Sequence, residues 1–111
     1  MTRMYLKEIF YCTLHIRKNS VGVTGQNPVL NIIRNSDGKY LKPSTGNWNT
    51  TATDISMNEI AMGLYKYALD MSLYNSNPDS YTIVYKYSYN SNALVQSEQV
   101  LFERKNRSKL V

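Results

Sequence analysis

The sequence predicts an all-β protein, a single antiparallel β-sandwich of about seven short strands, on three observations. Apolar residues alternate with polar ones in several separate runs. Turn signals built from Gly, Pro, Asn and Asp separate those runs. The 111-residue length suits one hydrophobic core and not two.

The first strand is expected within Tyr5 to Arg17, where Phe10, Cys12, Leu14 and Ile16 fall on one side and Tyr11, Thr13, His15 and Arg17 on the other. Asn19 to Gly25 reads as a turn leading into a short, irregular strand that includes Val21 and Val23. Pro28 then opens the β-branched run Val29 to Arg34. Asn35-Ser36-Asp37-Gly38 follows, and Asp-Gly between two extended runs is a hairpin signal because Gly takes the positive φ of a tight turn without steric cost. The partner strand is Lys39 to Lys42.

Pro43 to Thr53 has no periodicity and reads as a loop with Trp48 as its one large apolar anchor. Asp54 to Met62 is ambiguous. Ser56-x-x-Glu59 fits a helix capping box, while Ile55, Met57 and Gly63 fit a short strand and a bend, and the extended reading, with at most one helical turn, is preferred. Gly63 to Met71 alternates with Tyr65, Tyr67, Leu69 and Met71 together, Asn75 to Ser80 is a polar turn, and Tyr81 to Tyr89 alternates again. In the last run, Ala93 to Arg104, Leu94, Val100 and Phe102 share a face interrupted by Gln96 and Glu98, which predicts a bulge or a strand in two parts.

The chemistry that remains points away from catalysis. His15 is the one neutral-pH base and Cys12 the one thiol. Three positions apart on a strand, they leave opposite faces and cannot form a dyad. One His and one Cys do not supply a zinc ligand set, the Asp residues are scattered over separate turns, and glycines 22, 25, 38, 46 and 63 do not make a phosphate loop. The expectation is therefore a non-enzyme without metal or cofactor. A lone cysteine cannot form an intramolecular disulfide, which favours assembly in the cytoplasm, and no run is long and apolar enough to predict a membrane span.

Thirteen Lys and Arg against eight Asp and Glu give a net charge of +5. The excess is concentrated after the last apolar run, in Arg104, Lys105, Arg107 and Lys109, with Leu110 and Val111 beyond it. Residues 1–111 read as one domain with extended termini, 1–6 and 104–111, that order on assembly. Tyr81 to Tyr89 interleaves Tyr with Lys86, a pattern that can stack bases. Its aromatic face includes Ile83, however, so it reads as the core side, and nucleic acid is not the expected partner. Trp48, with Tyr40 close in sequence, could stack on a sugar ring.

The run Val23-Thr24-Gly25, Pro28-Val29, Ile33-Arg34, Ser36-Asp37-Gly38-Lys39-Tyr40, Trp48, Met57-Asn58-Glu59-Ile60, Gly63-Leu64-Tyr65-Lys66-Tyr67 and Asp79-Ser80-Tyr81-Thr82-Ile83-Val84-Tyr85 resembles small immunoglobulin-like β-sandwich modules of tailed-bacteriophage virion proteins. The likeness spans roughly residues 21 to 104 and is one of pattern, without a diagnostic motif. Tyr81 stands where such folds carry a tyrosine-corner residue, two positions before Ile83. The resemblance implies a structural virion protein of a head fibre, a capsid decoration, or a tail or baseplate component. Such a protein is assembled in the host cytoplasm as a homo-oligomer or multi-copy array and bound to capsid, portal or tail proteins. The candidate contact residues are Trp48, Tyr40, Arg104, Lys105, Arg107, Lys109, Leu110 and Val111. The alternative is a carbohydrate-binding module or adhesin tip that holds a host glycan on Trp48 and Tyr40.

Overall fold

The computed structural model describes residues 2–5, 8–74, 79–89 and 92–103. Among them the chain is all-β apart from one 3-10 turn at Met71–Leu73. The strands are β1 (Thr2–Tyr5), β2 (Ile9–His15), β3 (Arg17–Lys18), β4 (Val21–Gly22), β5 (Val29–Arg34), β6 (Lys39–Lys42), β7 (Asn47–Asn49), β8 (Ile55–Ser56), β9 (Asn58–Ala61), β10 (Leu64–Asp70), β11 (Asp79–Tyr89) and β12 (Asn92–Glu103). One sheet runs β1-β12-β11-β5-β6-β7, with β8 on β5; a second runs β2-β10-β9; β3 and β4 form a small ribbon.

Both sheets contribute to one core. Cys12, Leu14, Tyr65 and Leu69 come from the smaller sheet, and Leu30, Ile32, Leu41, Tyr81, Ile83, Val100 and Phe102 from the larger. The alternation along β2 and β11 is the cause, since every second side chain of a strand leaves the same face. Phe10 meets Phe102 edge-on across the layers, 6.5 Å between centroids. The arrangement is compatible with a β-sandwich.

Several expectations need correction. The fold is not purely antiparallel, because β1 runs parallel to β12, Thr2 opposite Val100 and Tyr5 opposite Glu103. That pairing also makes Thr2–Tyr5 an edge strand of the sheet, where the sequence suggested a segment awaiting assembly. The presumed loop after Pro43 holds β7, with Leu41 opposite Trp48. Among the described residues the strand segments number twelve, and about seven had been expected; several of the additions are two-residue pieces too short to show a period.

The last strand is continuous. Its register against β11 runs without a shift from Asp79 opposite Phe102 to Tyr89 opposite Asn92. Gln96 and Glu98 keep their places on the core-side face because tyrosine hydroxyls meet them: Gln96 Nε2 donates to the Tyr87 hydroxyl at 2.8 Å, and the Tyr85 hydroxyl donates to Glu98. A polar side chain is tolerated there once it has a partner.

The Asn35–Gly38 turn forms as the sequence predicts. Gly38 has φ of 72°, its N–H donates to Arg34 O at 2.7 Å, and the Arg34 guanidinium pairs with Asp37 at 2.5 Å. The stretch after Asp54 resolves as β8 and β9, with no helical turn. Glu59 is engaged elsewhere: it accepts from the Thr24 hydroxyl at 2.7 Å, from Gly25 N at 3.2 Å and from Gly63 N at 3.1 Å.

Candidate docking surface

β11 is eleven residues long, enough to span about 37 Å, and its neighbours cover only part of it. β5 pairs with it from Tyr81 to Lys86 and no further. On the far side of the hairpin, β1 pairs with β12 from Val100 to Glu103 only. Among the described residues the distal part of β11 and β12 is therefore a two-stranded ribbon, and it contributes to an elongated molecule of 54 × 31 × 22 Å. A two-stranded ribbon is marginal alone in water and gains from a further strand or surface.

The ribbon exposes apolar groups on both faces. Leu94 lies on the core-side face and is 39% exposed; Val95 lies on the opposite face and is 65% exposed. Where the ribbon leaves the body of the fold there is a concavity of about 380 Å³. It is lined in part by Gln26, Asn27, Val29, Asp54, Lys86 and Val95. Its charges are matched, because Lys86 Nζ bonds Asp54 at 2.6 Å and Asn31 Nδ2 bonds the same carboxylate oxygen at 3.0 Å. Those bonds hold the Asp54 carboxyl below its ordinary range.

A second exposed tip carries Val21, Ile60 and Met62, the last 68% exposed. It is held by contact between glycine backbones. Gly63 accepts from Ile16 N at 2.8 Å, and Val23 N donates to Ile16 O at 2.8 Å. Tyr65 locks the same region from below: its hydroxyl donates to Val23 O at 2.9 Å and accepts from Gln26 N at 3.1 Å.

The residues singled out by sequence fall in different places. Trp48 faces the interior: its ring stacks on Tyr81 with 5.5 Å between centroids, the Arg34 guanidinium sits 4.7 Å from its centre, and its indole N–H donates to Tyr74 O at 3.4 Å. Tyr40 is opposite Asn49 while Trp48 is opposite Leu41, so Tyr40 and Trp48 lie on opposite faces of the sheet. The structure does not bring these two rings together as one platform. Arg104, Lys105, Arg107, Lys109, Leu110 and Val111 lie outside the described residues.

Cys12 and His15 also separate as strand geometry requires. Cys12 has no exposed surface, and burial pushes its thiol up to about 12, against a smaller opposing pull from its hydrogen bond with Tyr85. Tyr85 is raised in turn, first by burial and then by Cys12. His15 is exposed on the other face, its Nδ1 3.2 Å from the Arg17 guanidinium.

Sequence reasoning did not single out Leu94 and Val95 as contact residues. The signal was there, since two adjacent apolar residues on a strand cannot both face one core. The comparisons with family models, with curated proteins and with solved structures find no match for this chain.

Proposed function

We propose that the chain is a non-enzymatic structural protein of a phage virion, an immunoglobulin-like β-sandwich that docks on capsid or tail components by protein–protein contact. The carrying observation is the β11–β12 ribbon, which extends past its neighbours with an open edge and with Leu94 and Val95 in solvent. Such a ribbon suits a strand-on-strand or face-on-face contact with another protein.

Strand order supports the immunoglobulin-like part of the reading. The sequence β12-β11-β5-β6-β7 in one sheet and β2-β10-β9 in the other follows the order G-F-C-C′-C″ and B-E-D of a variable-type domain. In that frame β1 takes the place of a first strand that has crossed to the opposite sheet. Cys12 and Ile83 then occupy the two inward positions where antibody domains place their disulfide, and both are fully buried.

The virion assignment rests on the resemblance carried by residues 21–104. Many weak docking contacts, repeated over a particle, hold a small module firmly through avidity. The test is direct. Particles purified on a density gradient and probed with an antibody to this chain should carry it in a fixed ratio to the capsid or tail protein, retained through washing. Recovery of the chain only in the soluble fraction would overturn the assignment.

A further inference from the structure

The edge of β12 from Asn92 to Gln99 has no strand beside it among the described residues, since β1 begins its pairing at Val100. Natural edge strands are usually shielded by Lys, Pro, a bulge or simple shortness. The eight residues Asn92-Ala93-Leu94-Val95-Gln96-Ser97-Glu98-Gln99 contain no Pro and no cation and pair with β11 without a bulge, and their one charge, Glu98 on the core-side face, already accepts from the Tyr85 hydroxyl. Other edges differ. β7 has three residues, β9 has four and meets a register shift, and β2, with seven, is shorter than the open stretch of β12.

A second copy of the chain fits this edge in both geometry and charge. Antiparallel strands related by a two-fold axis perpendicular to the sheet oppose residues that face the same side, so one residue must oppose itself. Centring on Val95 sets Asn92 against Glu98, Ala93 against Ser97 and Leu94 against Gln96. It uses the open stretch up to the point where β1 begins, whereas centring on Gln96 drives Asn92 into the position of Val100, which β1 already occupies. In this register no like charges meet. Glu98 faces a neutral Asn and already accepts from Tyr85, and Lys86, the cation of the ribbon's outer face, is paired with Asp54. The net charge of +5 thus does not oppose the seam locally.

We infer that two copies of the chain join antiparallel through the free edge of β12, Val95 opposite Val95, making one sheet continuous through both. The inference names the partner of the docking edge and rests on the docking reading, but its test needs only the purified chain, so its failure is separate from a failure to find the chain in particles.

The full chain is followed by sedimentation equilibrium from micromolar to millimolar concentration, with hydrogen exchange recorded in parallel. A monomer–dimer equilibrium is expected, with the amides of 92–98 exchanging more slowly as concentration rises. Val95→Lys and Val95→Asp, at a solvent-exposed site, should each keep the near-ultraviolet circular dichroism of the Trp48–Tyr81 pair. Each alone should weaken dimerisation by about tenfold or more, because like charges then meet at the axis. An equimolar mixture of the two should restore it. A monomer at every concentration, a dimer indifferent to both substitutions, or a mixture that stays monomeric would each overturn the pairing.

Discussion

Replacing Gly22 by Ala probes the contact that holds the Val21–Met62 tip. A β-carbon at position 22 would lie 2.1 Å from Met62 O, 2.6 Å from Met62 C and 3.2 Å from Gly63 N, all backbone atoms that cannot rotate away. Ordinary contact begins at 3.4 Å, so the two turns must part by more than an ångström. That movement strains the Ile16 N to Gly63 O bond and the Val23 N to Ile16 O bond, both 2.8 Å. Overpacking costs roughly 1–3 kcal/mol, and weakening two backbone bonds costs roughly 1 kcal/mol each. The sum, about 3–5 kcal/mol, is a large share of a domain's stability and lowers the melting temperature by roughly 12 °C or more at this chain length. Gly25→Ala is the control. Gly25 has φ of 71° with nothing within 4 Å of the added carbon, so it bears only the backbone penalty, about 1 kcal/mol. Thermal melts followed by far-ultraviolet circular dichroism read both. A Gly22→Ala chain melting within about 2 °C of the parent, or a Gly25→Ala chain losing more than it, would refute the close-contact reasoning.

Trp48→Ala should destabilise the fold by about 2–3 kcal/mol, as stacking on Tyr81 and the Arg34 contact disappear together; unchanged stability with loss of glycan binding on an array would instead favour the sugar-binding reading. Acid should unfold the chain through its paired carboxylates. Asp37 is held down to about 2 by its hydrogen bonds from Arg34, below its ordinary 3.8, and Asp54 and Glu59 are lowered as well. A depressed folded-state pKa stabilises above the unfolded value and ceases to as pH falls through the folded one. The melting temperature should therefore be steady near neutrality and drop between about pH 4 and 2, less steeply in Asp37→Asn. Cys12 has the opposite sign: its thiol rises from 9.0 to about 12 on folding, so its contribution is present below pH 9 and fades as pH climbs toward 12. An aromatic disulfide reagent at pH 8 should label Cys12 only as fast as the native state opens, and rapid labelling of the native chain would contradict its burial.

Much of the strand content was legible because the signal for it is local. Alternation along β2, β10 and β11 follows from side chains leaving a strand on alternate faces, and it placed Cys12, Leu14, Tyr65, Leu69, Tyr81 and Ile83 in the core. The Asp37-Gly38 turn was equally readable, since its backbone requirement is met by residues within the turn itself.

What only the tertiary structure decided depends on pairs distant in sequence. β1 and β7 are short segments whose strand state comes from their partners, β12 and β6, and not from their own pattern. Gln96 and Glu98 looked like an interruption until Tyr87 and Tyr85 were found beside them. The candidate surface divides in the same way. Trp48 was conspicuous as a residue type, yet whether its ring meets solvent depended on Tyr81 and Arg34, which reach it from other strands. The open edge of β12 is a property of where β1 stops, and composition carries no record of that. By itself, then, the chain's sequence determined the longer extended runs that alternate and which of their faces are apolar, through forces acting between near neighbours. The tertiary structure decided which strands pair and which edge is left free, because those depend on contacts between residues far apart along the chain.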